Sequence, residues 1–274
     1  MAEQTPENSP RKTIENLPGV ASFEQASAAG FDYRPVALMP DVKVIKIGGQ
    51  SLLDRGRKAL FPVLDEIAAA KDKHKLLVCC GGGTRARHIY SVASDLELPT
   101  GVLAALGGYV PRQNARMLQM LLAKHGGIFM LHDDFEKLPL YFRLGCIPIM
   151  TGMPPFGYWE KPAENTRIPQ NRTDAGVFLS AEVLGAKRAI FVKDEAGLYE
   201  DDPKKNKSAK LIPRITAKEL LALDLPDLIL ERVVIEYLQR ARFCTELQII
   251  NGLEHGMLTR ALAGEDVGTI ITKA

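Results

Sequence analysis

The sequence predicts an α/β protein with a mostly parallel central sheet and helices on both faces. Three observations lead there. Short apolar and β-branched runs alternate with segments of helical period along most of the chain, the pattern of repeated strand–helix units. Two of those runs end in glycine turns, Ile47-Gly48-Gly49 and Cys80-Gly81-Gly82-Gly83, and in such sheets ligands sit at the carboxyl ends of the strands. With 274 residues and 46% hydrophobic content, the chain is long enough to bury a sizeable core.

In chain order, residues 1–40 form a polar extension punctuated by Pro6, Pro10, Pro18, Pro35 and Pro40, read as either mobile or wrapped over a neighbouring subunit. The first strand is Val42 to Ile47, carrying Lys43 and Lys46. A helix follows from Arg55 to about Asp72, with Leu60, Val63, Leu64, Ile67 and Ala68 on one face and Pro62 disturbing its first turn. Leu76 to Cys80 is a buried strand that runs into three glycines, and a helix pattern with Arg85, Arg87 and His88 opens at 84–96. Glycines let backbone N–H groups approach a ligand closely, and a helix start adds its positive dipole end, so this turn reads as an anion cradle or as a tight connection with no ligand. A helix over 110–124 and short strands at Ile128 to Leu131 and Cys146 to Met150 complete a first half.

Residues 151–170 break the rhythm with Pro154, Pro155, Pro162, Pro169, Phe156, Tyr158 and Trp159. A loop of that length is functional, part of a subunit contact, or a surface loop pinned by its own aromatics. The second half starts at Arg172-Thr173-Asp174, where Thr173 or Asp174 makes a good N-cap for a helix running through Leu184. Then come a strand at Ala189 to Lys193, the segment Asp194 to Pro203, helices around 216–223 and 228–242, a strand at Leu247 to Ile250, a helix near 257–263 and a strand at Thr269 to Thr272.

Composition narrows the function. The 35 basic and 33 acidic side chains give a net charge of +2, so no overall field draws the chain to nucleic acid or membrane, and any anion site must be local. Cys79, Cys80, Cys146 and Cys244 have no C-x-x-C spacing, which argues for buried thiols and against a thiolate metal site. No apolar run approaches a membrane span and the N-terminus has no apolar signal core, so the expected location is the cytoplasm.

Five stretches in order, KIGGQS at 46–51, CGGGTRARH at 80–88, RTDAGVFLSAEVLGA at 172–186, FVKDEAGLYEDDP at 191–203 and GEDVGTII at 264–271, resemble the amino acid kinase family. Its members include uridylate, acetylglutamate and aspartate kinases. The resemblance covers about residues 41–273 and implies an amino acid kinase-like domain, with an N-terminal lobe to about residue 170 and a nucleotide-binding lobe beyond it. It also implies Mg2+ and ATP as cofactors. Lys46 would point at the transferred phosphate and Asp174 would orient the cationic groups. The implied nucleotide contacts are Lys46, Gly48, Gly49, Gly81, Gly82, Gly83, Lys193, Asp194, Gly197, Tyr199, Asp202 and Pro203. Positioning and charge stabilisation do most of the catalysis in phosphoryl transfer, and these residue types suit it.

The departures are equally specific. Where uridylate kinases place a ribose-binding aspartate, this chain has Ala104-Ala105-Leu106-Gly107; Thr84 follows the three glycines in place of Asn, Ala196 stands before Gly197 in place of Asp, and Asp194 replaces a Lys. A uridylate acceptor therefore loses an expected partner, and one catalytic charge is missing or reversed. The runs KIGGQS, GTRARH, TGMPP, RTDAG and FVKDE instead carry a likeness to the molybdenum-storage branch of the family, and to its beta-type chain. That likeness implies a subunit that binds Mg-ATP and joins a related alpha-type chain, by family resemblance as a hexamer, to enclose polyoxomolybdate or tungstate, with ATP hydrolysis driving loading. Oxoanions want Lys, Arg, His and N–H donors. Arg85, Arg87, His88, His132, Lys137 and Arg172 are the candidates, although Arg85 and Arg87 read equally as surface salt-bridge residues and His132 as an ordinary polar position. A small-molecule kinase of the uridylate or acetylglutamate type and a catalytically inactive regulatory subunit are the other readings.

Overall fold

β-branched runs become strands and periodic segments become helices in the computed structural model, which describes residues 35–163, 166–201, 203, 206, 208–225 and 228–274. The expectation for residues 1–34 lies outside the described residues, as does the nucleotide contact expected at Asp202. The elements run β1 (Val42–Ile47), α1 (Arg57–Ala70), β2 (Lys75–Cys80), α2 (Gly83–Asp95), α3 (Thr100–Leu121), β3 (Gly127–Phe129), α4 (Leu138–Arg143) and β4 (Ile147–Thr151). The second half adds α5 (Thr173–Leu184), β5 (Arg188–Lys193), β6 (Leu198–Tyr199), β7 (Leu211–Ile212), β8 (Arg214–Thr216), α6 (Ala217–Ala222), α7 (Arg232–Arg240), β9 (Glu246–Asn251), α8 (Met257–Leu262) and β10 (Thr269–Thr272).

Eight strands form one sheet in the order β3-β4-β2-β1-β5-β9-β10-β8, and β6 pairs with β7 apart from it. Within the large sheet only the β9–β10 pair is antiparallel. The mostly parallel α/β fold expected from the sequence is therefore present, and both faces of its central strands are buried, as crossover helices require.

Alternation along the strands sorts the core into two layers. Val42 and Val44 of β1, Leu77 and Cys79 of β2 and Phe191 of β5 face Ala175, Phe178 and Ala181 of α5 and Val234, Ile235 and Leu238 of α7. Ile45, Ile47, Leu76, Val78 and Val192 face Leu60, Val63, Leu64 and Ile67 of α1, Leu118 of α3 and Leu258 of α8. Lys46 falls in the register of Val42 and Val44, at the carboxyl end of β1, so its side chain emerges on the α5 side of the sheet.

Several boundaries differ from the sequence reading for identifiable reasons. α1 starts at Arg57 rather than Arg55, because Leu53–Arg55 forms a separate 3-10 turn and Gly56 takes a left-handed φ of 74°. α3 begins ten residues before the expected 110, at Thr100, and passes through Gly107, Gly108 and Pro111, residue types that argue against helix in isolation. Burial of Leu103, Ala104, Val110, Ala115 and Leu118 on one side holds it together. The N-cap of α5 is Arg172, without a side-chain cap; neither Thr173 nor Asp174 caps it. Glu231, fifty-nine positions away from Arg172, takes over that task.

Candidate functional site

The chain leaves β1 for β2 on one side and returns as β5 on the other, which opens a crevice at the carboxyl ends of these strands. A cleft of about 940 Å³ occupies it. Its lining includes Lys46, Gly48 and Gly49 after β1, Gly81, Gly82 and Gly83 after β2, and Lys193 and Asp194 after β5. Arg87 and Tyr90 of α2, Arg172 and Asp174 at the start of α5, Gly197, Tyr199 and Pro203 complete the wall.

The two glycine turns touch. A Cβ on Gly49 would lie 2.1 Å from the Gly83 nitrogen, so no other residue fits there without moving the backbone. Gly83 itself has φ +72° and sits against Asp54, whose Oδ2 accepts the Thr84 N–H at 2.6 Å. Asp54 thus caps α2 from the loop after β1, and its neighbour Arg55 reaches across to Asp194, Nη2 to Oδ2 2.5 Å. Neither role was visible in the sequence, since Asp54 and Arg55 lie 30 and 139 positions from their partners.

At the lysine end, four charges interlock. Lys46 forms a buried ion pair with Asp174 Oδ1, and the Lys193 Nζ stands 3.4 and 3.5 Å from the two Asp174 oxygens. The Glu231 N–H donates to Asp174 Oδ2 at 3.3 Å, while the Glu231 carboxylate accepts from the N–H groups of Arg172, Asp174 and Ala175 at 3.0, 3.0 and 3.1 Å. Burial pushes the Asp174 carboxyl upward, but Lys193 and Lys46 outweigh it and hold it well below the usual carboxylate range. Burial, and then the Asp174 charge, push the Glu231 carboxyl up. Burial pushes the Lys193 ammonium down.

The facing wall is different. Among the described residues, Arg172 Nε is buried with no hydrogen-bond partner, and its only ionic neighbour is Glu231 Oε1 at 3.7 Å. Arg87 projects from α2 and enters no hydrogen bond or ion pair among the described residues. The Tyr90 hydroxyl has the Met153 sulfur at 4.0 Å, and its ring packs on Gly107, where a Cβ would come within 2.3 Å.

Of the oxoanion candidates, Arg87 and Arg172 are therefore in the cleft and the other four are outside its lining. Arg85 hydrogen-bonds to Asn114 and, at 3.3 Å, to Gln113; Lys137 pairs with Asp134 at 2.6 Å. His132 Nε2 lies 2.7 Å from the Met153 carbonyl oxygen, and His88 is exposed on α2. Glu231, which the sequence reading missed, is a buried acid just before a strongly amphipathic helix, a weak signal that long-range pairing alone makes meaningful.

The donor set fits a nucleoside triphosphate. Paired glycine turns that a Cβ would fill leave backbone open to phosphate oxygens, and two lysines lie at their mouth. No group of three or more metal-ligating side chains exists among the described residues. Asp194 and Glu195 nevertheless line the cleft, and Mg2+ is commonly held by one or two carboxylates together with the phosphates and water.

The chain is 53% identical over 250 residues to the molybdenum storage protein subunit beta of Azotobacter vinelandii (strain DJ / ATCC BAA-1303), covering 91% of this chain and 92% of that one. A uridylate kinase of Metallosphaera sedula is 27% identical over 238 residues, 83% of this chain and 97% of the kinase. The UMP kinase of Bacillus anthracis superposes with a TM-score of 0.65 at 18% identity, over 85% of this chain and 96% of its own. The uridylate kinase of Archaeoglobus fulgidus gives 0.61 at 23% identity, over 84% and 100%. These two likenesses are of fold. The profile of the amino acid kinase family matches residues 41–233, and the chain belongs to that family.

Proposed function

We propose that this chain is the beta-type, ATP-binding subunit of a hetero-oligomer that stores molybdenum or tungsten as oxoanion clusters, loading being linked to ATP hydrolysis. The observation that carries the reading is the 53% identity to a molybdenum storage subunit over 91% of the chain, against 27% to a uridylate kinase. ATP is held by Gly48, Gly49, Gly81, Gly82 and Gly83 with Lys46 and Lys193 on its phosphates; Asp174 keeps both lysines in place until the phosphates arrive. Gly197, Tyr199 and Pro203 line the same cleft and would contact the nucleotide, and Asp194 would supply a carboxylate for Mg2+. When bound, Mg2+ neutralises phosphate charge. The oxoanion cargo is substrate, and closing a store around it takes a related alpha-type chain.

The intact Lys46–Asp174–Lys193 constellation also supports a second reading, a small-molecule kinase that transfers the ATP γ-phosphate. One experiment separates the two. Native complex is purified from cells grown with molybdate, with ATP kept in the buffer, then assayed for bound metal, co-purifying chains, and phosphate transfer from ATP to UMP. Many metal atoms per chain and a second related subunit are expected. Metal-free protein that phosphorylates UMP overturns storage in favour of the kinase.

A further inference from the structure

The cleft holds more donors than the nucleotide reading uses. Arg172 Nε is buried with no hydrogen-bond partner and with Glu231 Oε1 no closer than 3.7 Å; among the described residues Arg87 enters no hydrogen bond or ion pair and the Tyr90 hydroxyl has only a thioether, at 4.0 Å. The three belong together: Arg87 and Tyr90 stand three apart on α2 and so share a face, and the charge of Arg172 is felt at the Tyr90 hydroxyl. Burial pushes the Tyr90 phenol up to about 12, so it stays protonated and can donate.

What these donors lack is acceptors. The nearest carboxylate, Glu231, already accepts three backbone N–H groups, and Asp174 is committed to Lys46 and Lys193. Glu160 acts on Tyr90 electrostatically but does not line the cleft, and Asp194, Glu195, Glu200 and Asp201 sit on the segments leaving β5 and β6. Arg172 Nε is buried without a hydrogen-bond partner, which is costly, and with the exposed Arg87 guanidinium and the Tyr90 hydroxyl facing the same cavity it calls for a ligand rich in acceptor oxygens and carrying negative charge. The ligand must also be small. The Tyr90 ring is wedged against Gly107, and Ala86, Pro111 and Met153 around it offer no side-chain carboxylate or amide to hold the paired hydroxyls of a ribose.

We infer that Arg87, Arg172 and Tyr90 form a subsite for a bare tetrahedral oxoanion such as molybdate or tungstate, beside the nucleotide and closed to nucleoside monophosphates. This rests on the storage reading and makes the cleft the place where single oxoanions bind.

The test is calorimetric titration of the full-length chain, in its native complex, with sodium molybdate, with and without saturating UMP. Variants Arg172→Gln and Tyr90→Phe follow; the second keeps the ring and therefore the packing on Gly107. A charge-assisted hydrogen bond is typically worth about tenfold in affinity or more. Each variant is expected to weaken molybdate by about tenfold, well beyond any change in ATP affinity, and UMP is expected not to compete. Variants that bind molybdate like the parent, or UMP that displaces it, overturn the subsite. If Arg172→Gln does not fold, the Tyr90→Phe titration and the UMP competition still decide. A native complex that fills with metal while the variants bind normally removes this inference and leaves storage standing; a complex devoid of metal removes storage by itself.

Discussion

The lysine end of the cleft and its arginine wall are built on opposite plans. At the first, Lys46, Lys193, Asp174 and Glu231 neutralise one another and carry the start of α5. Along the second, Arg172 and Tyr90 present donors without proper acceptors, and Arg87 stands unpaired among the described residues. The closed end satisfies its charges within the folded chain, so they contribute to folding as well as offering a place for phosphate. The open wall turns the Arg172 Nε, the exposed Arg87 guanidinium and the Tyr90 hydroxyl toward the cavity instead of pairing them with acceptors of the described chain.

That contrast can be broken most forcefully at Asp174. Asp174→Ala leaves two largely buried lysines facing each other and should cost about 3–5 kcal/mol of stability, read from denaturant unfolding. A loss under about 1 kcal/mol would mean the lysines relax to solvent and the end is not interlocked. Glu231→Ala comes next: it strips acceptors from the Arg172, Asp174 and Ala175 N–H groups, with an expected cost of about 2 kcal/mol and weaker ATP binding through a misplaced Asp174. Arg172→Gln and Arg87→Gln sit at the far end of the scale, within about 0.5 kcal/mol of the parent in stability, because among the described residues neither guanidinium enters a hydrogen bond.

A pH series sharpens the same comparison. Lys193 must be protonated to hold a phosphate, and burial lowers its pKa. Its ammonium therefore loses its proton as pH rises earlier than an exposed lysine would. ATP affinity should fall on the alkaline side at a pH below the usual lysine range, while molybdate binding, which does not use Lys193, should persist. Parallel loss of both ligands would mean one shared site.

Much of this was legible in the sequence, and the exceptions have a common cause. β1 and β10 match their expected limits because their β-branched runs are bounded by turn residues, both glycine turns follow strands marked by local pattern, and Lys46 and Asp174 were pointed out by the family resemblance; the fold brings them into one cleft. The start of α3 was hidden because Gly107, Gly108 and Pro111 argue locally against the helix that packing enforces. Asp54, Arg55 and Glu231 were hidden because their roles exist only across long sequence separations. β6, β7 and β8 are two or three residues long, too short to show a period. Glycine turns announce a phosphate site; carboxylates that cap distant helices announce nothing until the fold brings them home.

In the proposed arrangement one cleft holds a nucleotide at its closed end and a bare oxoanion at its open wall. The most direct measurement is tungsten anomalous diffraction from crystals of the complex grown with ATP and tungstate. A tungsten peak within hydrogen-bonding reach of Arg87, Arg172 and Tyr90, with phosphate density at the glycine turns, is the predicted result. Tungsten bound instead at Lys46 and Lys193, or a cleft with nucleotide alone and all tungsten elsewhere in the assembly, would contradict it.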